Sequence, residues 1–153
     1  MFHNILVGVD GSVHARAAIR EAADIARSQN AHLTLLSAYS SFLPWPAMMP
    51  VGLTQDTIDQ VAEAARTTAQ TALDDAVAMV GDGVATRTLC VDERAADALL
   101  DELEGGAYDL VVVGSRGRGD VASLMLGSVS HRVVHESRVP VLVVHVQADT
   151  PAR

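Results

Sequence analysis

The chain has 153 residues, enough for one domain with a sizeable hydrophobic core. A formal net charge of −8 argues against nucleic acid and anionic membranes as partners, since both repel an acidic surface. Hydrophobic residues make up 49% of the chain but aromatics only 3%, so Ala, Val and Leu must build a core in which helices lie close on a sheet.

Five short apolar runs read as strands: Ile5–Val9, Leu33–Ala38, Ala85–Val91, Leu110–Val113 and Val141–Val146. Several are continuous rather than alternating, the pattern of strands covered on both faces. The first ends in VGVDGS, where Ser12 is the expected N-cap of a helix running to about Ser28. Asp10, beside it, suits a helix N-terminus as a carboxylate. After the second run comes Ser40–Gln55, whose three prolines prevent regular structure while Phe42, Leu43, Trp45, Met48 and Met49 keep it apolar. Such a loop is either a lid over a site or a surface or dimer contact.

Ile58, Val61, Ala62, Ala65, Ala69, Ala72, Leu73, Ala76 and Val80 then keep one face of a second, longer helix apolar, until Gly81-Asp82-Gly83 stops it. Cys90 is the single cysteine and cannot form an internal disulfide; it reads as a small core residue in a reducing compartment. A third helix covers roughly Ala95–Leu103 and ends at Gly105-Gly106. The fourth starts near Gly127-Ser128 and ends before Pro140. Strands alternating with helices give right-handed crossovers and a doubly wound parallel sheet, with ligands expected at the carboxyl ends of the strands.

The stretch Asp109–Ser130, DLVVVGSRGRGDVASLMLGSVS, carries the strongest functional signal. It is a buried strand, a glycine-rich loop and a helix start, with Gly114, Gly117, Gly127 and Ser128 spaced as G-x2-G-x9-G-S. Backbone N–H groups converging at such a helix start, together with the macrodipole, favour phosphate. Glycine there permits positive φ or close approach of a ligand. Ser128 can cap the helix and face a phosphate at once. Arg116 and Arg118, within the loop, are candidates to offset phosphate charge. As plain turn glycines the three would need no ligand.

This run resembles the nucleotide-binding signature of the universal stress protein family, of the single-domain kind that binds ATP. The opening NILVGVDGS and closing VPVLVVHV are similar to that family's first and last strands, so the resemblance spans nearly all of residues 1–153. It implies a five-stranded Rossmann-like sheet of order 3-2-1-4-5, with the first and fourth strands side by side. It further implies that Asp10 hydrogen-bonds the adenosine part of a nucleotide and that Gly8, Val9 and Ala38 line an adenine pocket. Val113, Ser115, Val129 and Ser130 flank the signature as further candidates. Val91-Asp92-Glu93 departs from the glycine and small residue of many relatives, which implies a narrower or more acidic pocket edge.

His131 and His135 stand four apart on the last helix, but no third ligand is positioned and HRVVH lacks the glutamate of the protease motif. No metal site is expected; one histidine is expected near the phosphates and the other at the surface. The expected function is a cytoplasmic stress or signalling protein that binds ATP with Mg2+ and switches state with it, not an enzyme. A slow ATP hydrolase or adenylyl transferase, and an AMP or cyclic-nucleotide binder, are the alternatives. There is no G-x4-G-K-[ST] loop, and no base is evidently paired with a nucleophile. MFHNILVGVDG has no basic leader, and no apolar run approaches bilayer length, so neither a signal peptide nor a membrane span is expected. Because Val141–Val146 falls at the sheet edge in the implied order, a homodimer through that strand is expected.

Overall fold

In the computed structural model, which describes residues 1–41, 54–118 and 126–146, strands and helices alternate along the whole chain. The strands are β1 (Asn4–Gly8), β2 (His32–Tyr39), β3 (Thr86–Asp92), β4 (Leu110–Gly114) and β5 (Val141–Val144). The helices are α1 (Val13–Gln29), α2 (Gln55–Val80), α3 (Ala95–Gly105) and α4 (Ser128–Glu136). The sheet has the order β3-β2-β1-β4-β5 with every pair parallel, as the resemblance implies.

Alternation along each strand assigns its residues to two helix layers. Ile5, Val7, Leu33, Leu35, Leu110 and Val112 face α1 and α2, where they meet Ala18, Ile19, Ala22, Leu73 and Ala76. Leu6, Leu36, Val111 and Val113 face the other way, against Ala98 and Leu99 of α3 and Val133 of α4. The alanines of α1 remove side-chain bulk between helix and sheet, which lets the two pack closely in so aromatic-poor a core. Cys90 is only half-buried, packed beside the α1 and α2 layer, and burial pushes its thiol up from the ordinary range.

Helix ends follow local chemistry. Ser12 caps α1, its hydroxyl accepting from the Ala15 N–H at 3.1 Å. Asn30 ends α1 with φ of 55°, a left-handed residue that asparagine tolerates. Gly81 stops α2 with φ of 67°. The expected apolar stripe of α2 is buried only from Ala69 onward; Ile58, Val61, Ala62 and Ala65 are half-buried or exposed. The cause is length. A helix of 26 residues extends about 39 Å, and an eight-residue strand such as β2 about 26 Å, so the first turns of α2 overhang the sheet. Phe42–Met49 lies outside the described residues. The segment leading to it is anchored at Ser41, whose N–H and hydroxyl donate to Asp92 at the end of β3.

Candidate functional site

The strand order reverses between β1 and β4, and a crevice opens there at their carboxyl ends. Its base is the upper end of the α3 and α4 layer: Leu36, Leu99 and Val113, with Gly8 and Ala38. Val9, Asp10 and Ala15 border it where β1 leads into α1, and Ala95 where α3 begins. Gly114, Arg116, Gly117, Val129 and Ser130 complete the lining. Gly8 keeps the base narrow but open; a Cβ added there would stand 3.3 Å from Leu99 Cδ1 and 3.4 Å from Val113 Cγ1.

Asp10 does not cap α1, a role held by Ser12. Instead its Oδ1 accepts from the Ser12 N–H at 2.9 Å, which fixes the carboxylate at the crevice.

The loop after β4 is closed by Ser115. Its carbonyl accepts from the Gly127 N–H at 2.7 Å and from the Ser130 hydroxyl at 3.1 Å. Its own N–H donates to Val144 at 2.8 Å, which ties the loop to β5. Its hydroxyl lies 3.1 Å from His14 Nδ1 of α1. Ser115 and Ser130 are both buried and hold the two ends of the loop together.

Several expected roles shift. Gly127, with φ of −70°, is the N-cap of α4 rather than a positive-φ turn, and Ser128 is the exposed first residue of the helix rather than its cap. Gly127 has no side chain to cap this helix, and among the described residues its first N–H groups have no such partner. Gly114 serves close packing: a Cβ there would lie 2.7 Å from the His14 carbonyl carbon and 2.8 Å from His14 Cβ. Ser115, Arg118, Gly127 and Ser128 do not line the crevice, whereas Arg116 does. Neither His131 nor His135 lines it; both are exposed on α4. Asp92 and Glu93 also stay off the lining. Glu93 is held above the usual carboxylate range by desolvation and by Asp101 and Asp97, while Asp92 is held below it by its bonds from Ser41.

Ala15, Leu36, Ala95 and Leu99 belong to the crevice without any signal in the sequence beyond ordinary core periodicity. A larger depression of about 450 Å3 lies at the opposite, amino ends of the strands, lined in part by His32, Thr34, Arg87 and Tyr108. It has neither a helix N-terminus nor the strand reversal. The crevice has both, and Gly114 and Gly117 of the glycine signature lie on it. Among the described residues, no group of three or more His, Cys, Asp or Glu is placed to hold a metal ion, and no helix is long and apolar enough to cross a membrane.

The profile of the Universal stress protein family matches residues 1–145. The chain belongs to this family. It is 36% identical over 145 residues to "Universal stress protein in QAH/OAS sulfhydrylase 3'region" of Thermus aquaticus, covering 94% of this chain and 99% of that protein. Universal stress protein UspA from Lactobacillus plantarum superposes with a TM-score of 0.80 at 25% identity, over 93% of this chain and 97% of that one. A universal stress protein in complex with cAMP superposes with a TM-score of 0.60 at 28% identity, over 94% of this chain and 97% of that one. The universal stress protein fold is thus this chain's fold, the five-stranded parallel sheet with four helices.

Proposed function

We propose that the crevice of this universal stress protein binds an adenine nucleotide, ATP with Mg2+, and that the protein is a cytoplasmic nucleotide-dependent switch rather than an enzyme. The observation that carries this reading is the pairing of an apolar slot with an uncapped helix start at one switch point. Gly8, Ala38, Leu99 and Val113 offer a flat apolar surface to a base, while the first turn of α4 offers N–H donors to phosphate. Asp10 is a suitable acceptor for ribose hydroxyls, and Arg116 is placed to meet phosphate charge. The crevice leaves about 80 Å3 of accessible space at its base and is open above, where ribose and phosphates would lie. Mg2+ would arrive with the triphosphate, which needs no cage made wholly of protein oxygens.

Among the described residues Ser115 Oγ stands beside a base, His14 Nδ1, but Ser115 is 1% exposed and off the crevice lining. A buried hydroxyl turned toward α1 has no reach to a bound phosphate, which favours binding over turnover. The structural relative in complex with cAMP favours a second reading, a cyclic-nucleotide or AMP site.

Denaturing the purified protein and identifying the released nucleotide separates these readings. ATP supports the switch, AMP or cAMP the second reading, and ADP with multiple turnover an enzyme. Added Mg-ATP at 100 times its Kd should stabilise the fold by about 2.7 kcal/mol, a shift visible in a melting experiment. No shift from any adenine nucleotide at millimolar concentration would sink the nucleotide reading. Turnover should stay far below the enzyme median of about 10 per second.

The same reading extends to a homodimer. Among the described residues no strand pairs with either sheet edge, but β3 is guarded by Arg87 and Asp92 and by threonines, whereas β5 is VLVV, half-buried and uncharged. Beside it Val134, Val139, Val141 and Val143 line a groove that His131 and His145 also border. A second copy paired across a two-fold axis would cover this edge.

A further inference from the structure

On the outer face of α4, away from the crevice lining, His131 and His135 stand one helical turn apart with ring centroids 5.9 Å from each other and planes inclined by 32°. Both side chains are exposed, and neither has a hydrogen-bond or ion-pair partner among the described residues. We propose that this pair chelates one divalent transition-metal ion of the zinc class per chain, with water completing the coordination.

The geometry can be tested by arithmetic. A metal about 2.0–2.1 Å from each ring nitrogen, in the ring plane, lies about 3.2 Å from each centroid, so two cis imidazoles have centroids about 4.5–5.2 Å apart. The observed separation exceeds that by about an ångström, within the reach of small χ adjustments in two exposed side chains. Paired neutral imidazoles suit zinc, copper and nickel, whereas magnesium and calcium prefer oxygen.

The surroundings tolerate a cation. Arg132, the nearest cation in sequence, is bound to Asp97 of α3 at 2.5 Å and to Glu136 at 2.9 Å, so two carboxylates offset its charge. The chain as a whole is acidic, with a formal charge of −8.

Chelation across one turn requires that turn to be helical. The ion therefore stabilises α4, a nine-residue helix with no side-chain cap, whose first turn borders the crevice. A short helix of this kind is where such a staple has most effect. The inference stands apart from nucleotide binding and needs no nucleotide to be tested.

Zinc chloride alone is titrated into the tag-free full chain by calorimetry, with melting followed in parallel. The expected result is saturation near one Zn2+ per chain and a raised melting temperature. His131→Gln and His135→Gln should each weaken binding by about tenfold or more and cancel the thermal shift, with far-UV circular dichroism unchanged. His3→Gln, at the amino end of β1 and away from α4, should leave binding intact. Three results would each overturn the proposal: no binding up to millimolar zinc, affinity unchanged in either single variant, or saturation at one ion per two chains.

Discussion

Gly114 and Gly8 occupy neighbouring strands at the same crevice yet answer to different constraints. At Gly114 the space for a Cβ is taken by the carbonyl carbon and Cβ of His14 and the nitrogen of Ala15, 2.7–2.9 Å away, which cannot yield without moving α1. Gly114→Ala should therefore destabilise the fold by about 1–3 kcal/mol in urea titrations. At Gly8 the neighbours are side-chain methyl groups at 3.3 and 3.4 Å, which can give by a few tenths of an ångström. Gly8→Ala should leave stability within about 1 kcal/mol of the wild type while narrowing the base of the crevice, so nucleotide affinity should fall by about tenfold. If Gly8→Ala binds nucleotide normally, the base does not sit against this wall. Ser130 tests the loop closure from the other side. Ser130→Ala removes the hydroxyl bonds to the Ser115 and Gly127 carbonyls and should cost about 1 kcal/mol.

Among the elements, α2 shows how one periodic stripe can divide into two regimes. Leu73 is 0% exposed, and Leu73→Ala should cost about 2–5 kcal/mol. Val61 occupies the same apolar stripe but is 50% exposed on the overhang, and Val61→Ala should fall within about 0.5 kcal/mol of the wild type. Equal costs at the two positions would mean that the overhang is covered in solution. The exits of β2 and β3 are joined by Asp92, whose carboxyl is held below its ordinary value of 3.8 by the Ser41 hydroxyl and N–H. As the pH falls, the unfolded chain takes up this proton before the folded one does. The contribution is therefore complete above the ordinary value and is lost as pH falls through the folded one. Asp92→Asn should be less stable than the wild type at pH 7, and the gap should close in strong acid. A gap that persists unchanged would assign the loss to something other than this ionisation.

At the scale of the whole molecule the question is which edge of the sheet a second copy covers. The carbonyls of Pro140 and Val144 accept from Val111 of β4 and from Ser115 just after it, so the backbone groups of Val141 and Val143 point to the outer edge. Val143→Pro removes one outward N–H without taking a bond from β4, and so tests the edge rather than the fold. Light scattering at micromolar concentration should show a dimer for the wild type and a shift toward monomer for this variant. A monomeric wild type would defeat the dimer, and a dimer indifferent to the proline would move the contact away from β5.

The alternation of apolar runs with helical periods dictated a parallel α/β sheet, because each pattern is local and admits one backbone period. Caps were legible for the same reason: Ser12, and Gly81 at positive φ, act on residues within one turn of themselves. The G-x2-G-x9-G-S spacing marked the strand, loop and helix that meet the crevice, but not what each glycine does there. That Gly114 makes room for α1 depends on a helix about 100 residues away in the chain, and that Gly127 rather than Ser128 caps α4 depends on the Ser115 carbonyl. Leu36, Leu99, Ala15 and Ala95 carry no local mark that separates them from the rest of the core. Periodicity tells which face of an element is apolar; where along that face the opposing layer ends is decided only when strands of unequal length and helices of unequal overhang are assembled. The crevice lies at such an end, which is why its chemistry was written in the sequence and its walls were not.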